Sequence, residues 1–280
     1  MNIRITADST CDLSPEYVAQ HDITIIPLKI SMGGRDYTDG IDLCPDDILR
    51  HVSNGGDLPK TSAINAAEYR ERFEALLREC DAIIHFNIGS EFSSCHANAV
   101  AAAEGLPVYC INSANLSSGI GLLLAEAVDR VEAGCEDAQQ IVSHVESLIE
   151  KVDASFVLDR LDFIYKGGRC SMVAMLGANL LHLRPCIEVV NGKMIVGKKF
   201  RGAYERCLKQ YVADRLRNPE SVDGKRVFVT HAGVDPALVA AVRAQVCSLK
   251  AFDEVLEVRA GCSITSHCGE NTLGVLFIRK

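Results

Sequence analysis

Residues 82–103 read AIIHFNIGSEFSSCHANAVAAA, and the fold is decided by how this stretch is read. Ala82 to Phe86 is a compact apolar run, suited to a strand buried on both faces of a parallel sheet. Gly89-Ser90-Glu91-Phe92-Ser93-Ser94-Cys95 follows as a serine-rich turn, and His96 to Ala103 is alanine-rich and helix-favouring. Ser93 or Ser94 is the expected N-cap. The first N–H groups of such a helix lack partners, and the helix dipole is positive there. Hydroxyls at that point, at the carboxyl end of a parallel strand, form a receptor for an anion. An ordinary serine cap with no ligand accounts for the same residues.

Outward from this unit, strand and helix patterns alternate. Residues 3–7 read as a strand and Asp8-Ser9-Thr10-Cys11-Asp12 as a polar loop. Ser14 then caps a helix with Pro15 at its first position. Residues 23–30 read as one strand, Gly33-Gly34 as a turn, and 45–52 as a short helix. Lys60-Thr61-Ser62 is expected to be a loop before an amphipathic helix at about 66–80. Residues 107–111 are another apolar strand, and Asn112 to Gly119 a second serine-rich loop. Helices follow from Ile120 and from Asp137. This alternation predicts a parallel sheet covered by helices on both faces.

The second half is less regular. A strand is expected at 156–158, and Lys166-Gly167-Gly168-Arg169-Cys170-Ser171 as a glycine turn opening a helix over 172–183. Asn191-Gly192, between apolar runs at 186–190 and 194–196, is a strong hairpin signal. Helices at 203–216 and 236–249, strands at 226–231, 253–258 and 273–279, and a loop from Gly261 to His267 complete a mixed-sheet α/β unit.

Charge divides the chain. Residues 1–150 hold 9 Lys+Arg against 24 Asp+Glu, a net of −15, while the rest holds 20 against 13, a net of +7. The asymmetry supports domains at 1–152 and 153–280. The basic half could meet an acidic partner or simply the acidic half. No nucleic-acid motif is present, so no nucleic acid is expected. No apolar run reaches membrane-spanning length, so no stable membrane insertion is expected. The N-terminus reads straight into a strand without a signal peptide, which makes the cytoplasm the expected location. Twelve scattered cysteines without a C-x-x-C pair suit reduced, buried thiols. Cys262, His267 and Cys268 match no common zinc spacing, and no metal is expected.

Small hydroxyl clusters recur where strands end: Ser9-Thr10, Thr61-Ser62, Ser93-Ser94, Ser113 to Ser118 and Ser263 to Ser266. Uncharged donors lining one cleft suit a carboxylate or phosphate. The chain has neither a dinucleotide fingerprint nor a Walker loop, so no cofactor is expected. A serine hydrolase acting on acyl esters is the alternative, assembled from Ser93, His267 and Asp8, although no G-x-S-x-G elbow is present. On sequence grounds alone His267 reads as a core histidine, His231 is its rival for any role, and Arg169 and Arg201 read as exposed or sheet-edge cations.

The sequence resembles the DegV family of bacterial fatty-acid-binding proteins over nearly its whole length. The resemblance rests on Ala7-Asp8-Ser9-Thr10-Cys11-Asp12-Leu13-Ser14, Tyr37-Thr38-Asp39-Gly40-Ile41-Asp42-Leu43, Lys60-Thr61-Ser62 and the Ser90 to Ala99 turn and helix. In the second half it rests on Lys166-Gly167-Gly168-Arg169-Cys170-Ser171, Arg184-Pro185, the hairpin with Gly192, and His267-Cys268-Gly269. It implies a two-domain α/β fold: a parallel-sheet N-terminal domain and a smaller mixed-sheet C-terminal domain, with a long-chain fatty acid between them. By resemblance, Thr61 with Ser62, Ser93 with its neighbour Ser94, and His267 hold the carboxylate. Such a protein is non-catalytic. It presents the lipid to a separate ATP-dependent kinase subunit that forms the acyl phosphate, and Arg201 stands at the position tied to docking that kinase. The sequence differs from the family's usual pattern at Ser94, Cys95, Asn112, Glu270 and Asn271. An inward-pointing Glu270 would disfavour a bound carboxylate.

Overall fold

The structure, a computed structural model, describes residues 1–170 and 183–280. The expected helix at 172–183 therefore falls almost wholly outside the described residues. The first half runs β1 (Ile3–Asp8), α1 (Pro15–Gln20), β2 (Thr24–Ile26), β3 (Lys29–Met32), β4 (Arg35–Thr38), α2 (Pro45–Ser53), β5 (Lys60–Ser62), α3 (Ala66–Leu76), β6 (Ala82–Asn87), α4 (Cys95–Ala103), β7 (Val108–Asn112), α5 (Ser118–Glu132) and α6 (Ala138–Glu146). The second half continues with β8 (Val152–Asp153), β9 (Ser155–Leu158), α7 (Asp162–Gly167), β10 (Leu183–Val190), β11 (Lys193–Arg201) and α8 (Tyr204–Arg215). It ends with β12 (Val222–Ala232), α9 (Pro236–Leu249), β13 (Glu254–Arg259), α10 (Cys262–Cys268) and β14 (Thr272–Arg279).

Among the described residues the strands form three sheets. The first, in the order β2-β1-β6-β7, is wholly parallel. Every residue of β6 is buried, as its unbroken apolar run requires of a central parallel strand. A mixed sheet of order β11-β10-β9-β14-β12-β13, with β8 beside β14, makes the second half. The fold is thus the α/β architecture expected, with a parallel sheet and then a mixed one. Helix α5 explains how the two meet. It packs on β1 and β6 on one side and on β12 and β14 on the other, and its residues from Ser118 to Val128 are all buried. A helix apolar over most of its circumference is stable only when enclosed in this way, and Glu126, the charged residue of that span, is paired with Lys225 and Arg226.

Local signals hold where chemistry is local. Ser14 Oγ accepts from Tyr17 N–H at 3.2 Å with Pro15 in the first turn. Asn191 and Gly192 take φ of 50° and 75°, the left-handed pair that closes the β10–β11 hairpin.

Three expectations are corrected. The single strand over 23–30 is two strands in different sheets, separated at Pro27-Leu28; proline cannot donate to a central ladder. Lys60-Thr61-Ser62 is a strand, because it pairs with β3 to complete the small sheet β4-β3-β5. The late polar segment is helix α10, not a loop. Its first N–H groups are met by distant carboxylates: Asp39 accepts from Cys262 N–H at 3.0 Å and Ser263 N–H at 3.2 Å, and Asp12 from Gly261 N–H at 2.8 Å.

Candidate functional site: a cavity between the parallel and mixed sheets

A cavity of about 210 Å³ is lined from both halves of the chain: by Thr61 of β5, Ser93 and Ser94 before α4, Arg169 after α7, and His267 of α10. Its remaining wall is largely apolar, including Leu28, Phe92, Leu116, Ile164, Met194 and Ile264. A second cavity of about 30 Å³ shares Leu116, Ile264 and Cys268 with the first and continues between Ala154, Phe156, Ala232, Ala260 and Leu276. A polar cluster thus opens onto an apolar passage.

Thr61 Oγ1 and His267 Nε2 lie 2.8 Å apart and share a hydrogen bond. Burial pushes the His267 pKa down to about 4, and the Arg169 guanidinium adds to the shift, so the imidazole is neutral. Its Nδ1 is buried and has no hydrogen-bond partner among the described residues. Ser93 Oγ donates to Cys95 Sγ at 3.1 Å and accepts from Cys95 N–H at 3.2 Å. Ser94 takes the N-cap position of α4 without a side-chain capping bond and is exposed. The turn carrying Ser93 is fixed beneath by Asp8, at the end of β1. The fully buried Asp8 carboxylate accepts from Tyr69 O–H at 2.5 Å, Ile88 N–H at 3.1 Å and Asn87 Nδ2 at 3.2 Å.

The structure brings Thr61, Ser93, Ser94 and His267 to one cavity. It does not bring Ser62, which is exposed and absent from the lining. Alternation along β5 turns neighbouring side chains to opposite faces, so Thr61 and Ser62 cannot both face inward. The hydroxyls of 113–118 do not converge on the cavity either. Ser113 donates to Asn87 O at 2.7 Å, Ser117 to Asp12 at 2.5 Å, and Ser118 bonds Thr230 at 2.6 Å. The Ser93–His267–Asp8 triad is not assembled. His267 Nε2 engages Thr61, its Nδ1 has no partner among the described residues, and Asp8 is spent on Tyr69, His85, Asn87 and Ile88. Glu270 is exposed and lines a different groove with Asp46, Arg50 and Arg259, so it does not bear on the cavity. Arg201, at the end of β11, is exposed, and no ion pair holds it among the described residues.

Arg169 is exposed, as expected of a surface cation, and it also lines the cavity, which that reading does not anticipate. The available signal was its place at the close of the Lys166-Gly167-Gly168-Arg169 turn. The backbone of that turn approaches so closely that a Cβ on Gly167 would lie 2.6 Å from His267 Nδ1.

Neutral His267 carries a pH signature. Its folded pKa lies below the unfolded value of about 6.5. Its contribution to stability is therefore complete above about pH 6.5 and is lost as pH falls toward 4. A bound anion would raise this pKa again, so anion binding should take up protons near pH 6. Calorimetry in two buffers of different ionisation heat should show that uptake for the native protein and lose it in His267→Gln. Equal uptake in both would assign the proton elsewhere.

Among the described residues, no group of three or more Cys, His, Asp or Glu side chains could hold a metal ion, and no helix is long and apolar enough to cross a membrane.

Residues 2–280 match the model of a family described as "Uncharacterised protein, DegV family". A DegV domain-containing protein of Deinococcus radiodurans is 30% identical over 278 residues, 98% of each chain. A DegV family protein of Thermus thermophilus, described as binding fatty acid, superposes with a TM-score of 0.92 at 24% identity over 100% of both chains. A stearic acid-binding protein of Eubacterium ventriosum superposes with a TM-score of 0.84 at 25% identity, covering 99% of this chain and 98% of its own.

Proposed function

This chain belongs to the DegV family, and from that premise we propose that it binds a long-chain fatty acid in the cavity between its two sheets and presents the carboxylate to a separate kinase subunit. The observation that carries the binding reading is the cavity itself: hydroxyls and an imidazole at one place, and apolar passage beyond them. Thr61, Ser93 and His267 hold the carboxylate, with Ser94 at the rim. Arg169 supplies positive charge nearby. Hydrogen bonds to an ionised acceptor are stronger than neutral ones, so this donor set orients the head group. Burying about sixteen carbons at roughly 0.8 kcal/mol each offers on the order of 10 kcal/mol before ordering costs. The tail dominates affinity and the head fixes register. Residues 1–152 and 153–280 act as two units that close on the lipid, in the cytoplasm.

Chemistry within this chain is not required. Ser93, His267 and Asp8 do not form a nucleophile–base–acid relay, which removes the support for the serine-hydrolase reading. Native mass spectrometry of the purified protein should show a mass increment matching a fatty acid, released by organic extraction. Delipidated protein that takes up no fatty acid would overturn the proposal.

The kinase reading rests on the family and on exposed cations beside the β10–β11 hairpin. Lys198 is tied to Asp214, which leaves Lys199 and Arg201 exposed and without ion pairs among the described residues. Rim charges of this kind raise association rate and set register. With a cognate kinase subunit, Arg201→Ala should lower phosphorylation of the bound lipid at least tenfold while lipid affinity holds. Equal rates would remove Arg201 from the docking face, and an unphosphorylated native complex would leave a carrier.

A further inference from the structure

Helices α7 and α10 meet through two glycines, one from each side. Gly269, just after α10, takes φ of 74°, and a Cβ there would lie 2.5 Å from the Phe163 ring of α7. Gly167, the last residue of α7, faces the other way, and a Cβ there would lie 2.6 Å from His267 Nδ1. Nothing larger than hydrogen fits at Gly167 without displacing the imidazole. The turn that carries it is closed on itself: Gly168 takes φ of 70°, and Arg169 Nη1 donates to Gly167 O at 2.6 Å.

This contact decides where the imidazole proton sits. A neutral histidine carries one N–H and one bare nitrogen. In Gly167 a hydrogen stands where a Cβ would be, and so points at Nδ1. A bare nitrogen accepts a carbon-bound hydrogen weakly. An N–H there would set hydrogen against hydrogen and bury an unpaired donor. Nδ1 is buried and has no hydrogen-bond partner among the described residues, so the proton belongs on Nε2. Nε2 lies 2.8 Å from Thr61 Oγ1 and therefore donates to it. The Thr61 oxygen accepts, and its own O–H is left to donate. Thr61 is half-buried and lines the cavity, and its hydroxyl makes no other hydrogen bond among the described residues.

We infer that Gly167 is a positioning residue for the head group: its missing side chain holds the His267 ring with the proton on Nε2, and the bond from Nε2–H to Thr61 Oγ1 turns the Thr61 O–H toward the ligand. This role rests on the fatty-acid reading and deepens it, since His267 then acts on the carboxylate through Thr61. Nitrogen NMR of the native protein at neutral pH, with the histidine ring nitrogens labelled, should show His267 protonated at Nε2 and bare at Nδ1. Titration of delipidated proteins with hexadecanoic acid gives the second readout. Gly167→Ala should weaken binding about tenfold, as one misdirected hydrogen bond to a charged group allows, and should populate both His267 tautomers. In a His267→Ala background, where no ring is left to displace, Gly167→Ala should change affinity by less than about twofold. Equal weakening in both backgrounds overturns the role, because Gly167 then acts on the cavity without the histidine. Native protein that binds hexadecanoic acid with His267 protonated at Nδ1 overturns the role alone. Native protein with the proton on Nε2 that binds no hexadecanoic acid overturns the role together with the fatty-acid reading. The native spectrum and titration stand whether or not Gly167→Ala folds.

Discussion

Replacing Thr61 by valine and Ser93 by alanine together is expected to weaken hexadecanoate binding by roughly 2–5 kcal/mol, each lost hydrogen bond to a charged group costing about 1–3 kcal/mol. The two positions face one cavity, so their effects need not add. Thr61→Val keeps side-chain volume and removes the hydroxyl that bonds His267 at 2.8 Å. It therefore frees the imidazole as well as deleting a donor. Binding is weakened and not abolished, because the apolar passage still takes the tail. Ser62→Ala is the matched control: it removes an adjacent hydroxyl that is exposed and outside the cavity, and affinity should stay within about twofold, the scatter of surface substitutions. Titration of delipidated proteins reads all of these. If Ser62→Ala weakens binding as much as Thr61→Val, the head group lies on the other face of β5. If the double variant binds like the native protein, the carboxylate is held elsewhere.

The second large effect concerns what joins the halves. Arg226, on β12, has a side chain only 4% exposed, and reaches Glu126 at 3.5 Å and Asp129 at 3.3 Å on α5, and Glu254 at 2.5 Å on β13. Lys225 adds contacts to Glu126 at 2.9 Å and Asp129 at 2.7 Å. Arg259 pairs with Asp46 across the same divide. Arg226→Ala should cost about 3 kcal/mol, the lower end of the range for breaking a buried pair, because Glu254 is 46% exposed and can recover water. Urea unfolding measures it. Arg243→Ala, which removes a surface pair with Glu257, should change stability by less than about 1 kcal/mol. A loss below about 1 kcal/mol for Arg226→Ala would mean that the network is dispensable. This network also answers the charge asymmetry in part: several cations of the basic half pair with the acidic half, whereas Lys199 and Arg201 are exposed and make no ion pair among the described residues.

Much of this protein is written locally. The buried run of 82–86, the cap at Ser14 and the Asn191-Gly192 turn act over a few residues, and backbone hydrogen bonding at that range follows from side-chain type. The α/β alternation and the mixed second half follow from them, and so do the hydroxyl clusters that include Thr61 and Ser93, whereas His267 reads locally as a core histidine and joins them only through the family resemblance. Tertiary structure decided the rest. The segment carrying Ser263 and His267 is helical because Asp12 and Asp39, more than two hundred residues earlier, satisfy its first N–H groups. Lys60–Ser62 is a strand only through its pairing with β3, and that pairing turns Thr61 inward and Ser62 outward. Arg169 reaches the cavity because its glycine turn packs against α10. Which hydroxyls are spent on neighbours and which residues line the cavity depends on contacts between segments far apart in the chain, and no local pattern encodes those.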